Sequence, residues 1–284
     1  MSLKKMLRKV AKFILNNSSD KKVYANIEIV NYNECLKERN IIITGGSKGI
    51  GYAIAKKSIS EGAFVIITGR NELDLVNAKK KLGTNCEYTV FDSNKVNEIP
   101  NLFIDLSKKY NKKFDSIVLN AGVSLHENIY KKVTEESFDK QFNTNFKSNY
   151  FFAKYFLEYL DNNKIEDSNL IFISSETGDQ CYDIPYGLTK SSLNSLVRAL
   201  SRREYKNGRK INAIAPGVTK TNMTSDYADS KDGNLYRNCA SDRIFLPEEI
   251  AEVACFLLSN ASNCISGEII HTNAGNHLNP FWDE

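Results

Sequence analysis

Tyr186 and Lys190 stand four residues apart in the run Tyr186-Gly-Leu-Thr-Lys190. Positions at that spacing share one helix face, one turn above the other, so the lysine ammonium reaches towards the phenol. At ~4 Å and an effective dielectric of ~20, that attraction is worth ~4 kcal/mol to a phenolate. The expectation is a Tyr186 more acidic than an ordinary phenol, with lysine desolvation working against it. Such a phenol exchanges a proton near neutral pH, which ketone reduction or alcohol oxidation requires. Just upstream, Ser174 and Ser175 follow the apolar run 170–173 and offer hydroxyls to a substrate oxygen. Tyr182 is a competing phenol, but no lysine follows it four residues on. Taken alone, Tyr-x-x-x-Lys is an ordinary helix start, so its meaning depends on what surrounds it.

Those side chains need a scaffold. Apolar strand runs at 40–44, 63–68, 86–91, 114–119, 169–174, 209–214 and 267–271 alternate with helical patterns at 49–61, 71–82, 97–110, 134–160, 185–206 and 247–259. Short apolar strands separated by helices imply parallel pairing in a sheet covered on both faces. Right-handed crossovers then produce an α/β fold: a single doubly wound Rossmann-like domain, with a parallel seven-stranded sheet and helices on both faces. That domain is placed at 39–284, behind an N-terminal extension at 1–38. Apolar residues recur every three or four positions within 3–15 among Lys4, Lys5, Arg8, Lys9 and Lys12, predicting an amphipathic basic helix there.

Composition narrows the function. Hydrophobic residues make up 42% of the 284, enough for a substantial core, and the net charge of +4 is mild. No basic arm, aromatic-basic platform or zinc spacing points to nucleic acid. His126, His271 and His277 lack ligand spacing, so no metal is expected. The six cysteines, at 35, 86, 181, 239, 255 and 264, form no C-x-x-C pair and suit reduced thiols in the cytoplasm. No apolar run approaches the ~18 residues of a membrane span. The start has no unbroken apolar centre and no small-residue cleavage site, so no secretory signal is expected.

Thr44-Gly-Gly-Ser-Lys-Gly-Ile-Gly51 follows the first strand and opens the first helix. Glycines there let the chain turn tightly and bring backbone N–H groups to a pyrophosphate at the helix N-terminus. The pattern is T-G-x-x-x-G-x-G rather than G-x-G-x-x-G. With it, in order, come Asp92 after the third strand, Asn120-Ala121-Gly122 after the fourth, Asn145, Ser175, Tyr186, Lys190, and Pro216-Gly217 with Thr221. The closing matches are 247–251 and Ser266-Gly267. Over residues 40–276 this set resembles the short-chain dehydrogenase/reductase family.

The resemblance implies a nicotinamide dinucleotide held by Gly45, Ser47, Lys48, Gly49, Ile50, Gly51, Asp92, Asn120, Ala121, Gly122, Pro216, Gly217, Val218 and Thr221, with Tyr186 and Lys190. It implies a catalytic tetrad of Asn145, Ser175, Tyr186 and Lys190. Tyr186 is then the acid in reduction and the base in oxidation, and Ser175 binds the substrate oxygen. Lys190 holds the nicotinamide ribose and acidifies Tyr186, and Asn145 binds a water that links Lys190 to solvent. One spacing departs from the family: Ser175 precedes Tyr186 by eleven residues, where about thirteen is usual, leaving a short loop at 176–185. Gln180, Cys181 and Asp183 of that loop are candidate pocket residues. Where relatives preferring NAD(H) carry an acid after the second strand, this chain has Arg70, with Lys48 in the turn. Two cations suit a ribose 2′-phosphate, so NADP(H) is the expected cofactor and NAD(H) the alternative.

The segment 218–245, the family's variable lid, holds Met223, Tyr227, Tyr236 and Arg237. Its shortness favours a small polar carbonyl or alcohol, such as a sugar derivative, over a sterol. A carrier-bound 3-oxoacyl group competes, since Arg198, Arg202 and Arg203 would meet an acidic carrier. The helices at 134–160 and 185–206 are aromatic-rich, and because relatives pair these helices across subunits the resemblance implies a homodimer or homotetramer, unless the aromatics pack on the sheet instead. The helix over 3–15 either packs on protein or lies at a membrane surface. A non-catalytic dinucleotide sensor and a nucleotide-sugar epimerase or dehydratase are the alternative functions on this scaffold.

Overall fold

Runs of β-branched residues, favoured on a pleated surface, build the centre of the molecule. The computed structural model describes residues 33–225, 241 and 243–278. β1 (Asn40–Thr44), β2 (Phe64–Gly69), β3 (Cys86–Val90), β4 (Ser116–Leu119), β5 (Ser168–Ile173), β6 (Arg209–Pro216) and β7 (Ile269–Thr272) form one sheet in the order β3-β2-β1-β4-β5-β6-β7. Every pairing is parallel. Between the strands run α1 (Gly49–Ser60), α2 (Glu72–Leu82), α3 (Ile99–Tyr110), α4 (Glu135–Gln141), α5 (Ser148–Asn163), α6 (Pro185–Glu204) and α7 (Pro247–Leu258).

Alternate strand residues face opposite sides of a sheet, and two cores follow from that period. Ile42, Ile66, Ile117 and Phe172 pack with Phe103 of α3, Phe152 and Phe156 of α5 and Val197 of α6. Ile41, Ile43, Val65 and Ile171 pack with Ile54 of α1, Leu75 of α2 and Leu257 of α7. The chain winds outward from β1 in one direction and from β4 in the other. A crevice opens at that switch point, outside the strands' carboxyl ends. The register aligns Thr44 with Thr68 and Leu119, so three strands end level there.

The single helix expected over 134–160 is instead α4, a π-helical turn at Phe142–Lys147, and α5. A π turn lets in one extra residue without a Pro or Gly to announce it, and such turns gather at functional sites. Ahead of β1, Leu36 of the expected extension is fully buried, its N–H donating to Glu61 O at 2.9 Å. The helix expected over 3–15, and Tyr227, Tyr236, Arg237 and Cys239, lie outside the described residues.

Candidate active site

The crevice is a cavity of about 800 Å³, and every sequence-predicted site residue except Gly51 and Asn145 lines it. A latch sets its floor. Thr44 Oγ accepts from the N–H groups of Asn120 and Ala121 at 3.0 and 3.1 Å, tying the end of β1 to the turn after β4. Asn120 Nδ2 donates to the carbonyls of Thr44 and Gly45 at 3.0 Å each. Its amide is thus spent on holding the glycine turn. Gly51 packs beneath that latch, where a Cβ would stand 2.5 Å from Asn120 Nδ2.

The turn itself needs glycine. Gly45 and Gly49 have φ of 65° and 55°, in the left-handed region. Lys48 precedes α1 with no side-chain cap, and the first helical turn carries no acid. Uncapped N–H groups at a helix N-terminus facing a cavity fit a pyrophosphate. A nicotinamide dinucleotide therefore fits the residues present. At the far side of the turn, Lys48 pairs with Asp74 at 2.8 Å, while Arg70 is exposed at the end of β2. Asp92 sits after β3 and accepts from Asn94 N at 3.0 Å. Pro216, Gly217, Val218 and Thr221 close the opposite wall, pinned by Phe245 N to Val218 O at 2.8 Å.

Ser175 and Ser174 separate by partner. Ser174 Oγ donates to Asn194 Oδ1 at 2.6 Å, beneath α6. Ser175 Oγ accepts from Thr177 N and Thr177 Oγ at 3.3 and 3.0 Å. With both acceptor sites taken, the one hydroxyl proton is left for another acceptor in the cavity, which Tyr186 also lines. Gly187 lets Tyr182 pack against α6: a Cβ there would lie 2.4 Å from Tyr182 Cβ.

The expected acidification of Tyr186 by Lys190 is not what the geometry produces. Burial against the cavity wall pushes the phenol up, the Ser175 hydrogen bond pulls it down, and the Glu176 carboxylate and Tyr182 push it up again. Lys190 Nζ stands 5.6 Å from the Tyr186 ring centroid and donates instead to Ile173 O at 2.8 Å. Buried without a carboxylate partner, its ammonium is itself pushed down, to about 8.

Asn145 lies in the π turn and is fully buried. Its side chain clasps Val123, accepting from the N–H and donating to the C=O, both at 2.8 Å. A Cβ on Gly122 would meet Asn145 Oδ1 at 3.3 Å and Lys190 Nζ at 3.8 Å, so bare glycine brings the two together. Of the loop candidates, Asp183 lines the cavity; Gln180 donates instead to Asn276 O at 3.3 Å, and Cys181 is exposed away from it.

Glu176 escaped the sequence reading. It follows Ser175, is 8% exposed and lines the cavity. Its Oε2 accepts from Asn273 and Asn276, both at 3.0 Å. The available signal was an acid directly after the Ser174-Ser175 pair that ends the strand. His126 reaches the cavity as an edge residue, whereas His271 and His277 stack with ring centroids 3.6 Å apart. His271 Nε2 also lies 3.0 Å from Asp179 Oδ2. Among the described residues, no group of His, Cys, Asp and Glu is arranged to hold a metal ion, and no helix is long and apolar enough to cross a membrane.

Comparison with known proteins follows the same outline. A family model described as Enoyl-(Acyl carrier protein) reductase matches residues 45–277. The 3-oxoacyl-[acyl-carrier-protein] reductase of Rickettsia felis is 30% identical over 246 residues, covering 84% of this chain and 97% of that protein. The solved structure of ElxO with NADP bound superposes with a TM-score of 0.76 at 27% identity, covering 84% of this chain and 98% of that one. A putative gluconate dehydrogenase from Agrobacterium tumefaciens superposes with a TM-score of 0.80 at 23% identity, covering 88% and 99%, and shares the fold. Cavity, glycine turn and Ser-Tyr-Lys cluster coincide with these matches: the chain belongs to the short-chain dehydrogenase/reductase family and is an NAD(P)-dependent oxidoreductase.

Proposed function

We propose that this protein interconverts a ketone and a secondary alcohol, with NADP(H) preferred, through Asn145, Ser175, Tyr186 and Lys190. One observation carries the reading: Ser175, Tyr186 and Lys190 line one cavity that also presents an uncapped helix N-terminus. The dinucleotide, when bound, supplies or accepts the hydride. Tyr186 gives the proton to the carbonyl oxygen in reduction, and Ser175 orients that oxygen. Lys190 and Asn145 flank Gly122, where Lys190 would hold the ribose and Asn145 would bind a water that links Lys190 to solvent.

The cavity walls favour a hydrogen-bonding substrate, since Ser124, Glu127, Asn128, Thr177 and Asp183 line the end beyond Tyr186. Two substrate classes fit: a small polar carbonyl such as a keto-sugar, and a carrier-bound 3-oxoacyl group. The name of the Rickettsia relative favours the second. So do Arg198, Arg202 and Arg203, exposed on α6, although Arg198 already lies 3.7 Å from Asp179. The partly exposed aromatic ladder of Phe146, Tyr150, Phe151 and Tyr155 supports a homo-oligomer built on α5 and α6. A cytoplasmic setting fits the free, unpaired cysteines.

The test is a panel of carbonyl compounds, keto-sugars and 3-oxoacyl thioesters included, followed by NADPH absorbance with Tyr186→Phe as control. Turnover that depends on Tyr186 is expected for one class. Undiminished turnover in Tyr186→Phe removes the proton-donor role, and binding of NADPH without turnover of any compound returns the sensor reading.

A further inference from the structure

We propose that Cys35 and Cys255 are a reversible thiol–disulfide pair, whose oxidation by a small-molecule disulfide ties the segment ahead of β1 to α7. The pair stands apart from the crevice residues and from the reaction assigned to them.

Its basis is a contact that the sequence hides. Cys35 and Cys255 are 220 positions apart, yet their Sγ atoms lie 3.5 Å from each other. Cys255 is on the inner face of α7, 4% exposed, within the core that α1, α2 and α7 build on one side of the sheet. Cys35 packs against that same core but keeps part of its surface in solvent. One sulfur is open to a reagent and the second lies directly behind it, as an intramolecular exchange requires. The sulfurs must close by about 1.5 Å to reach the ~2.0 Å of a disulfide bond, a shift on the scale of side-chain rotation at Cys35.

The backbone on both sides is already held. Leu36, next to Cys35, is fully buried and donates its N–H to Glu61 O at 2.9 Å, and Arg39 N donates to Leu36 O at 3.0 Å. Gly62 has a φ of 94°, and a Cβ there would stand 3.2 Å from Lys37 Cα, so this segment lies directly on the end of α1. The helix α7 reaches the same place: Lys57 of α1 pairs with Glu61 at 3.0 Å and with Glu252 of α7 at 3.1 Å. The exposed pair Lys37–Glu34, internal to the segment, adds little. A cross-link here encloses a very long loop, which takes conformational entropy from the unfolded chain and so favours the folded one.

The exchange balances. Cys35, as thiolate, attacks one sulfur of glutathione disulfide and expels one glutathione thiolate. Cys255 then gives its proton to water, attacks the Cys35 sulfur of the mixed disulfide and expels the second. Two protein thiols lose two electrons and two protons, and glutathione disulfide takes up both and leaves as two thiols. Burial pushes both protein thiols above their ordinary value, so the exchange is slow and answers to sustained oxidation.

The experiment incubates the full-length protein with glutathione disulfide, alkylates the remaining thiols, digests without reductant and maps the peptides by mass spectrometry, with Tm measured before and after. A Cys35–Cys255 linked peptide is expected, with a Tm raised by several degrees, and dithiothreitol should reverse both. Cys35→Ala and Cys255→Ala should each lose the linked peptide and the reductant-sensitive rise in Tm, and either serves if the other folds poorly. Cys35 found only as a stable glutathione adduct, or linkage only through other cysteines, overturns the proposal. A linked peptide with no reductant-sensitive gain in Tm overturns the tie to α7. Neither readout involves turnover, so failure here leaves the oxidoreductase reading as it stands.

Discussion

Arg70 and Lys48 both line the cavity, but Lys48 gives its ammonium to Asp74 at 2.8 Å. On the proposed NADP(H) reading Arg70 would then meet the 2′-phosphate, and a charge-assisted pair of that kind is worth about 1.5–3 kcal/mol. Arg70→Asp should weaken NADPH by roughly 10- to 100-fold more than NADH in a fluorescence titration, and equal losses would remove the NADP(H) preference. Asp74→Asn should do the reverse, releasing Lys48 and tightening NADPH several-fold with little change for NADH. Lys190 makes a different prediction. Its folded pKa, about 8, lies below its ordinary 10.5, so the unfolded chain binds more protons between those values. Stability attributable to Lys190 therefore rises with pH from about 8 to 10.5, and its burial costs most below 8. In urea unfolding at pH 7 without cofactor, Lys190→Met should stabilise by about 1–2 kcal/mol despite the lost bond to Ile173 O, with turnover abolished. The residue types at these positions were legible in the sequence, but their directions were not. Spacing placed Lys190 on the face of Tyr186; only packing sent its ammonium to Ile173 O.

Strands and helices were read from periodicity, and β1, β2, β5 and α1 through α3 fall where the apolar pattern put them. Periodicity fails where an insertion preserves the apolar spacing. The stretch 134–160 reads as one helix because Phe152 and Phe156 continue the same stripe, yet the π turn at Phe142–Lys147 re-aims Asn145 onto Val123. The short loop before α6 hides a second constraint. Pro185 starts that helix at a position where the missing N–H costs nothing, and Tyr182 folds back against Gly187. Gly187 looks like an ordinary helix glycine in sequence. A Cβ there would stand 2.4 Å from Tyr182 Cβ and 2.8 Å from its ring. Gly187→Ala should therefore cost about 1–3 kcal/mol of stability, against the small gain alanine normally brings to a helix. Displacing Tyr182 should also lower kcat through Tyr186, and a Gly187→Ala enzyme with native Tm and kcat would refute the close packing.

At the scale of the whole molecule, chemistry gathers at the carboxyl ends of the strands and a charged staple holds their other ends. Winding from the switch point was legible in the order of strands and helices; the staple, joining residues more than a hundred positions apart, was not. Arg39, just before β1, lies 2.7 Å from Asp167 and 3.5 Å from Asp115 and donates to Asn260 Oδ1 beyond α7. Lys210 at the start of β6 joins Asp167 at 2.9 Å, and Asp115 also accepts from Asn40 N at 2.9 Å. The starts of β1, β4 and β5 and the end of a helix thus meet on one guanidinium, with β6 joined through Lys210 and Asp167. Burial pushes the Asp115 carboxyl above the ordinary 3.8, whereas Arg39 and Lys210 draw Asp167 below it against its own desolvation. Asp167 accordingly contributes stability above 3.8 that is lost as pH falls through its folded value, and Asp115 opposes folding above its raised value. Arg39→Met strips the counter-charge from Asp115 and leaves Asp167 to Lys210 alone, and a buried carboxylate left unpaired, as Asp115 would be, costs about 3 kcal/mol. The urea midpoint at pH 7 should fall accordingly. Below about pH 4 both carboxyls take up protons, the missing cation matters less, and the gap between variant and native should narrow. Because the staple lies a strand's length from the cavity, kcat and cofactor affinity in the folded variant should match the native values. A deficit that stays constant from pH 7 to acid would mean that Arg39 acts through the packing of its alkyl stem and not through its charge.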